Sequence, residues 1–155
     1  MDPGGYANLD GREESLRTLT GGRSWLKMLV RVVAAMILLF LLDLVWIKGL
    51  APLLGLDYFG VVEAVQGASL AGRPIGLVAY IAMGYGLATM ASGYAEGARL
   101  GFVLYVIFDF TSTFMYHAWT IKVALLDTVW GTLLFTLIGG LLNELERIPQ
   151  YHRLD

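Results

Sequence analysis

A chain of 155 residues is long enough for one domain, and 57% of this one is hydrophobic while only 15% is charged, against about a quarter charged in an ordinary soluble domain. The net charge of −2 and the scatter of its 11 basic residues leave no footprint for nucleic acid. The absence of cysteine excludes disulfides and thiolate metal sites.

Residues 1–24, MDPGGYANLDGREESLRTLTGGRS, are polar and glycine-rich and read as a flexible tail with one helical turn over Glu13–Leu19. The tail is too long and too acidic for a secretory n-region, so the apolar run after it is expected to be a retained signal-anchor. Four apolar spans follow, roughly Lys27–Leu50, Pro74–Ser92, Gly97–Ala118 and Ile121–Leu142. Each is close to the ~20 residues that cross ~30 Å of hydrocarbon, and each must be helical, because an open strand in lipid leaves backbone groups unpaired. The expected fold is an all-α integral membrane protein, a four-transmembrane-helix bundle over residues 25–143. A polar tail over 144–155, broken at Pro149, ends it.

The connections differ in kind. Between spans one and two, Leu53, Leu54, Leu56, Phe59, Val61, Val62 and Val65 interleave with Asp57, Glu63 and Gln66, the pattern of a short amphipathic helix on a membrane surface. Spans two and three meet at the glycine-rich turn SGYAEG. Gly93, Gly97 and Gly101 have GxxxG spacing but begin in that turn. Spans three and four nearly touch at HAWTIK, a tight hairpin. With four spans, Arg12, Arg17, Arg23, Lys27, Arg31, Arg99, Arg147 and Arg153 share one side, and Lys48, Arg73 and Lys122 the other. This excess places both termini on the cytoplasmic side or its equivalent.

The informative residues are acids inside oily runs. LLDLVW at 41–46 and LLDTVW at 125–130 agree in five of six letters. Each carries an aspartate, Asp43 and Asp127, and Asp109 sits in span three. An ionised acid at a bilayer centre costs about 2.5–3.5 kcal/mol on insertion scales, so such acids face a bundle interior and are paired, protonated or wet. At 1.5 Å per residue, Asp43, Asp109 and Asp127 lie about 10, 13 and 9 Å from the outer ends of their spans, which is one layer. Trp46 and Trp130 each follow an aspartate by three residues on the same helix face, and an indole N–H can only donate. They read either as donors to a carboxylate on a neighbouring helix or as interface anchors. Tyr105, Ser112, Thr113 and Tyr116 share the face of Asp109, with Thr111 offset. Thr128 and Thr132 add hydroxyls to span four, and Gly131 permits close helix approach. His117 reads as an interfacial histidine.

Other chemistries fit poorly. P-loop, dinucleotide fingerprint, HExxH and GxSxG motifs are absent, two histidines cannot ligate a haem pair in the bilayer, and no nucleophile is evident. Neither a cofactor, a metal centre nor an enzymatic activity is expected. Carboxylates with hydroxyls would suit a hard cation better than zinc.

Three stretches carry a resemblance. LLDLVWIKG, YVIFDFTSTF and VALLDTVWGTLL resemble the D-L-x-W-L-G, Y-x-x-Y-D-L-T-N and V-x-x-D-I-x-W-G-T elements of the small membrane proteins grouped as domain of unknown function 2177, over roughly residues 36–142. DYFG is similar to a further F-Y element. The resemblance implies four helices in a membrane, no established activity, and marked positions at Asp43, Trp46, Asp109, Thr111, Asp127, Trp130 and Gly131. Ser112 stands where that family has asparagine, Phe108 where it has a second tyrosine, Phe110 where it has leucine, and Ile47-Lys48 in place of Leu-Gly.

Two functions are expected. In the leading one, the three aspartates form a conduit or carrier for a proton, cation or small polar solute. In the other, the chain is a non-catalytic subunit of a larger respiratory, photosynthetic or virion membrane assembly, and the acids hold the bundle together. A membrane enzyme acting on lipid beside residues 51–73 is a weaker third. The expected partners are the lipid bilayer and either other membrane subunits or further copies of the chain. A water-filled cavity at the acids would favour the conduit; a dry, hydrogen-bonded cluster would favour the subunit.

Overall fold

A computed structural model describes residues 7–67 and 76–151, and it is helical with no strand among them. Helix α1 (Ala7–Val45) continues through a π-helical turn at Trp46–Leu50 into α2 (Ala51–Leu53). α3 (Tyr58–Gln66), α4 (Gly76–Met90), α5 (Tyr94–Met115) and α6 (Ile121–Tyr151) complete the chain order. Three helical stretches are long and apolar enough to cross a membrane: Ser24–Leu53, Tyr94–Met115 and Ile121–Leu145, with mean hydropathies of 2.6, 1.3 and 1.7. α4 is apolar but has 15 residues, about 22 Å at the helical rise and short of a full crossing by itself.

Several boundaries differ from the sequence reading. The single turn expected over Glu13–Leu19 is part of α1, which starts at Ala7. α5 begins at Tyr94, three residues earlier than Gly97. α6 runs through Pro149 to Tyr151 where a break was expected. A proline there forfeits the one backbone bond to the carbonyl four residues before it and crowds that carbonyl, and the helix carries on for two further residues. The short helix expected between spans one and two is present as α3. Asp57 caps its N-terminus, accepting from Gly60 N at 3.0 Å.

The long helices pack as two close pairs. α5 and α6 form a hairpin whose backbones touch. A Cβ on Gly101 would lie 2.8 Å from the Gly131 carbonyl, one on Gly139 would lie 2.9 Å from the Gly93 carbonyl, and one on Gly97 would strike the Phe135 carbonyl. The glycine spacing at 93, 97 and 101 is thus used within the chain. α4 packs on α1, where Gly84 faces Val32 and Met36. Leu39, Leu87, Leu134, Phe135 and Ile138 are fully or almost fully buried between the pairs and form one apolar core. A second cluster, Trp46, Ala51, Leu56, Trp119, Val123 and Ala124, lies at the α5–α6 turn end. The outward faces are oily: Ile37, Phe40, Phe102, Ile107, Phe114 and Val129 are all exposed. In water such a surface far exceeds what a soluble monomer displays. Against lipid it needs no cover.

Candidate functional site: a buried aspartate layer

The acids gather between the two clusters. Asp109 of α5 is fully buried, and Asp127 of α6 is 3% exposed. Asp127 Oδ1 accepts from Trp46 Nε1 at 2.9 Å, and its Oδ2 from the Tyr58 hydroxyl at 3.2 Å. Asp109 Oδ1 accepts from Trp119 Nε1 at 3.2 Å, and its Oδ2 from the Thr128 hydroxyl at 2.8 Å. Each of the four oxygens has one donor, and the donors come from four places: the π turn, α3, the α5–α6 turn and α6. The two carboxyls are themselves neighbours. Asp43 of α1 is half-buried, and its Oδ2 accepts from the Tyr80 hydroxyl of α4 at 2.8 Å.

Local backbone explains part of this. The π turn at Trp46–Leu50 widens the helix shortly after Asp43 and shifts the phase of the residues beyond it; such turns recur at functional sites. There Trp46 is buried against α6 and its ring stacks on Trp130, centroids 5.3 Å apart and planes 8° apart. Trp130 Nε1 lies beside Asp43, buried and without a hydrogen bond. Gly131, next to it, leaves room that the Tyr105 ring fills. Tyr105 also meets Phe135 edge-on at 6.0 Å and stands within electrostatic reach of all three aspartates.

Most of the site residues read from sequence join this network. Asp43, Asp109, Asp127, Trp46, Trp130, Tyr105 and Gly131 come together. Ser112 is buried beside Asp109. Thr113 is half-buried, but its hydroxyl donates to the Asp109 backbone carbonyl at 2.9 Å, one turn back, and misses the carboxylate. Thr111 is exposed and outside the layer: two residues from Asp109 is about 200° around the helix. Tyr116 lies past the end of α5 and is 39% exposed. Sequence reasoning missed Tyr58, Tyr80 and Trp119 as partners. Tyr80 carries a hydroxyl within an apolar stretch, the signal that marked the aspartates. Trp119 was hidden by its place in a turn.

α3 closes the layer at the turn end. Tyr58 meets Trp119 edge-on at 5.7 Å. Burial, and then the charge of Asp127 beside it, push its phenol well above the ordinary tyrosine value. Lys122 Nζ donates to the Leu54 carbonyl at 3.0 Å, holding the start of α6 to the end of α2.

No family model, curated protein or solved structure matches the chain. Among the described residues, no three acidic or histidine side chains are grouped to hold a metal ion. The oxygens of Asp109 and Asp127 are taken by indole and hydroxyl donors, so the arrangement favours helix-to-helix hydrogen bonding over cation coordination, which needs several free oxygens on one centre.

Proposed function

We propose that the chain is a four-span integral membrane protein, termini on the cytoplasmic side, that serves as a non-catalytic subunit of a membrane assembly. The acid layer locks its helices in register. The observation that carries this reading is the donor set of Asp109 and Asp127: two buried acids, four oxygens, four donors from four segments. Buried polar groups in a membrane are kept where they specify a unique packing, since each such bond contributes little, about 0.6 kcal/mol on average. Toward the other end of the bundle the layer gives way to Leu39, Leu134, Phe135 and Ile138, packed and apolar, which offer a solute no polar path. The partition of basic residues supports the orientation, and the packing of α4 along α1 supports a fourth crossing. Extraction in mild detergent is expected to retain stoichiometric membrane partners. Recovery of a stable lone monomer or homodimer with its own activity overturns the proposal.

A conduit for protons is the second reading. It draws on the adjacency of the Asp109 and Asp127 carboxyls and on Asp43, which lies half-buried near them with the Tyr80 hydroxyl on one oxygen. Proton flux into proteoliposomes that falls with Asp127→Asn supports it; equal or absent flux in both proteins removes it.

A further inference from the structure

α3 differs from every other described helix. It alone has no buried residue. It is bracketed by Gly55 at φ +69° and Gly67 at φ +65°, the two left-handed positions among the described residues. A Cβ at Gly67 would meet nothing within 4 Å. α3 is held by half-buried Tyr58, Val61, Val62 and Val65, which rest on the cluster of Trp46, Trp119, Val123 and Ala124. Among the described residues, one polar bond fastens it to the rest of the protein, from the Tyr58 hydroxyl to Asp127. Directly beneath lie the buried acids.

We propose that α3 is a hinged cover over the Asp127–Asp109 pair, with Gly55 and Gly67 as hinges and Tyr58 as the latch, and that its opening brings the pair into contact with water. Elements with little buried apolar area are the ones that open locally below the global unfolding free energy, and glycines with left-handed φ absorb a backbone swing at low cost. In the closed position Tyr58 occupies Asp127 Oδ2 and shields it. In the open position Asp127 keeps only its Trp46 bond, and one oxygen becomes free for water. The cover is independent of the assembly role proposed above: it operates in the isolated chain, whereas that role is read from copurifying partners.

The chain has no cysteine, so a single introduced thiol is unique. Ala124 is fully buried in the cluster that α3 covers. In purified full-length protein in nanodiscs, Ala124→Cys should react with a water-soluble maleimide slowly, and about tenfold faster when Tyr58→Phe is added, the effect expected for losing one hydrogen bond. Phe59→Leu, at an exposed position on the same helix, should leave the rate unchanged. Equal rates with and without Tyr58→Phe overturn the proposal, as does reaction of Ala124→Cys as fast as an exposed Lys122→Cys. Hydrogen exchange on the cysteine-free chain covers the case in which Ala124→Cys fails to fold. Amides of Tyr58–Gln66 should exchange together, ahead of those in α5 and α6, and Tyr58→Phe should speed that group alone. Protection equal to α5 and α6, or acceleration spread through all helices, overturns the cover.

Discussion

LLDLVW and LLDTVW are nearly the same word, and the fold gives them different work. Both lie on helices that run in opposite directions, and the two tryptophans stack across the contact. Trp46 donates across it to Asp127. The mirror bond is not made: Trp130 Nε1 lies beside Asp43 without a hydrogen bond. Asp127 is buried with two donors; Asp43 is half-buried with one. Three differences account for the asymmetry. Thr128 replaces Leu44 and supplies a hydroxyl to Asp109. Gly131 replaces Ile47 and admits Tyr105. The first copy runs into a π turn, while the second stays regular helix. An inverted pair of similar segments thus sets two acids at one level, and their neighbours decide which of them is sealed.

The sharpest break of this comparison is to delete each acid in turn. Asp127→Ala strands two donors, buried Trp46 and half-buried Tyr58, and should destabilise the protein by about 3 kcal/mol, at ~1–3 kcal/mol for each group left unsatisfied. Asp43→Ala strands one donor at a half-open position and should cost about 1 kcal/mol. Unfolding by denaturing detergent in mixed micelles measures both. Equal costs would mean that the two copies are equivalent and that the donor count carries no weight.

Next comes the residue after each tryptophan. A Cβ at Gly131 would sit in the Tyr105 ring, so Gly131→Ala should cost about 2 kcal/mol through overpacking and move Tyr105 away from the acids. Loss of the edge-on contact between Tyr105 and Phe135 should appear as altered aromatic shifts in the NMR spectrum. A neutral Gly131→Ala would show that the close packing there has slack.

The tryptophans give a smaller effect. Trp46→Phe removes the bond to Asp127 and should cost about 1 kcal/mol more than Trp130→Phe, which removes a donor without a partner; hydrogen bonds of this kind in membranes lie below ~2 kcal/mol. Both changes keep an aromatic ring in the stack. A reversed order in the same detergent titration would assign the working donor to Trp130.

These same residues show how far the sequence carried. Depth counting placed Asp43, Asp109 and Asp127 together, because helical rise is regular and the spans are bounded by clear polar breaks. Indole chemistry offered a donor role for Trp46 as one of two readings, the other being an interface anchor, and the bond to Asp127 decides between them. Thr111 was assigned by motif resemblance, and helical phase moves it to the outer surface. Tyr58 and Trp119 come from a surface helix and a turn. Their approach to Asp127 and Asp109 depends on how those segments fold back, a long-range matter that periodicity does not encode. The π turn has no proline or glycine signal at its start, and its position was likewise not legible.

The finest test addresses the second copy's tyrosine bond, Tyr58 to Asp127. The groups facing the Tyr58 phenol are Asp127 of α6 and Tyr105 and Asp109 of α5, and burial is the largest influence upon it. Each acts in the same direction, holding the proton on. The sign comes from linkage: a folded-state value above the unfolded one means that the docked form binds the proton more tightly. The latch is therefore fully present below the ordinary tyrosine value of about 10, and is lost progressively as pH rises from there toward the raised docked value. Hydrogen exchange of α3, corrected for the intrinsic pH dependence of amide exchange, should give the same opening equilibrium from neutral pH to about 9.5, then rise. With Tyr58→Phe the rise above that pH should vanish, because no proton remains to be lost at that position. A rise that persists in Tyr58→Phe would place the alkaline transition on another group and leave the α3 contact resting on its valines alone.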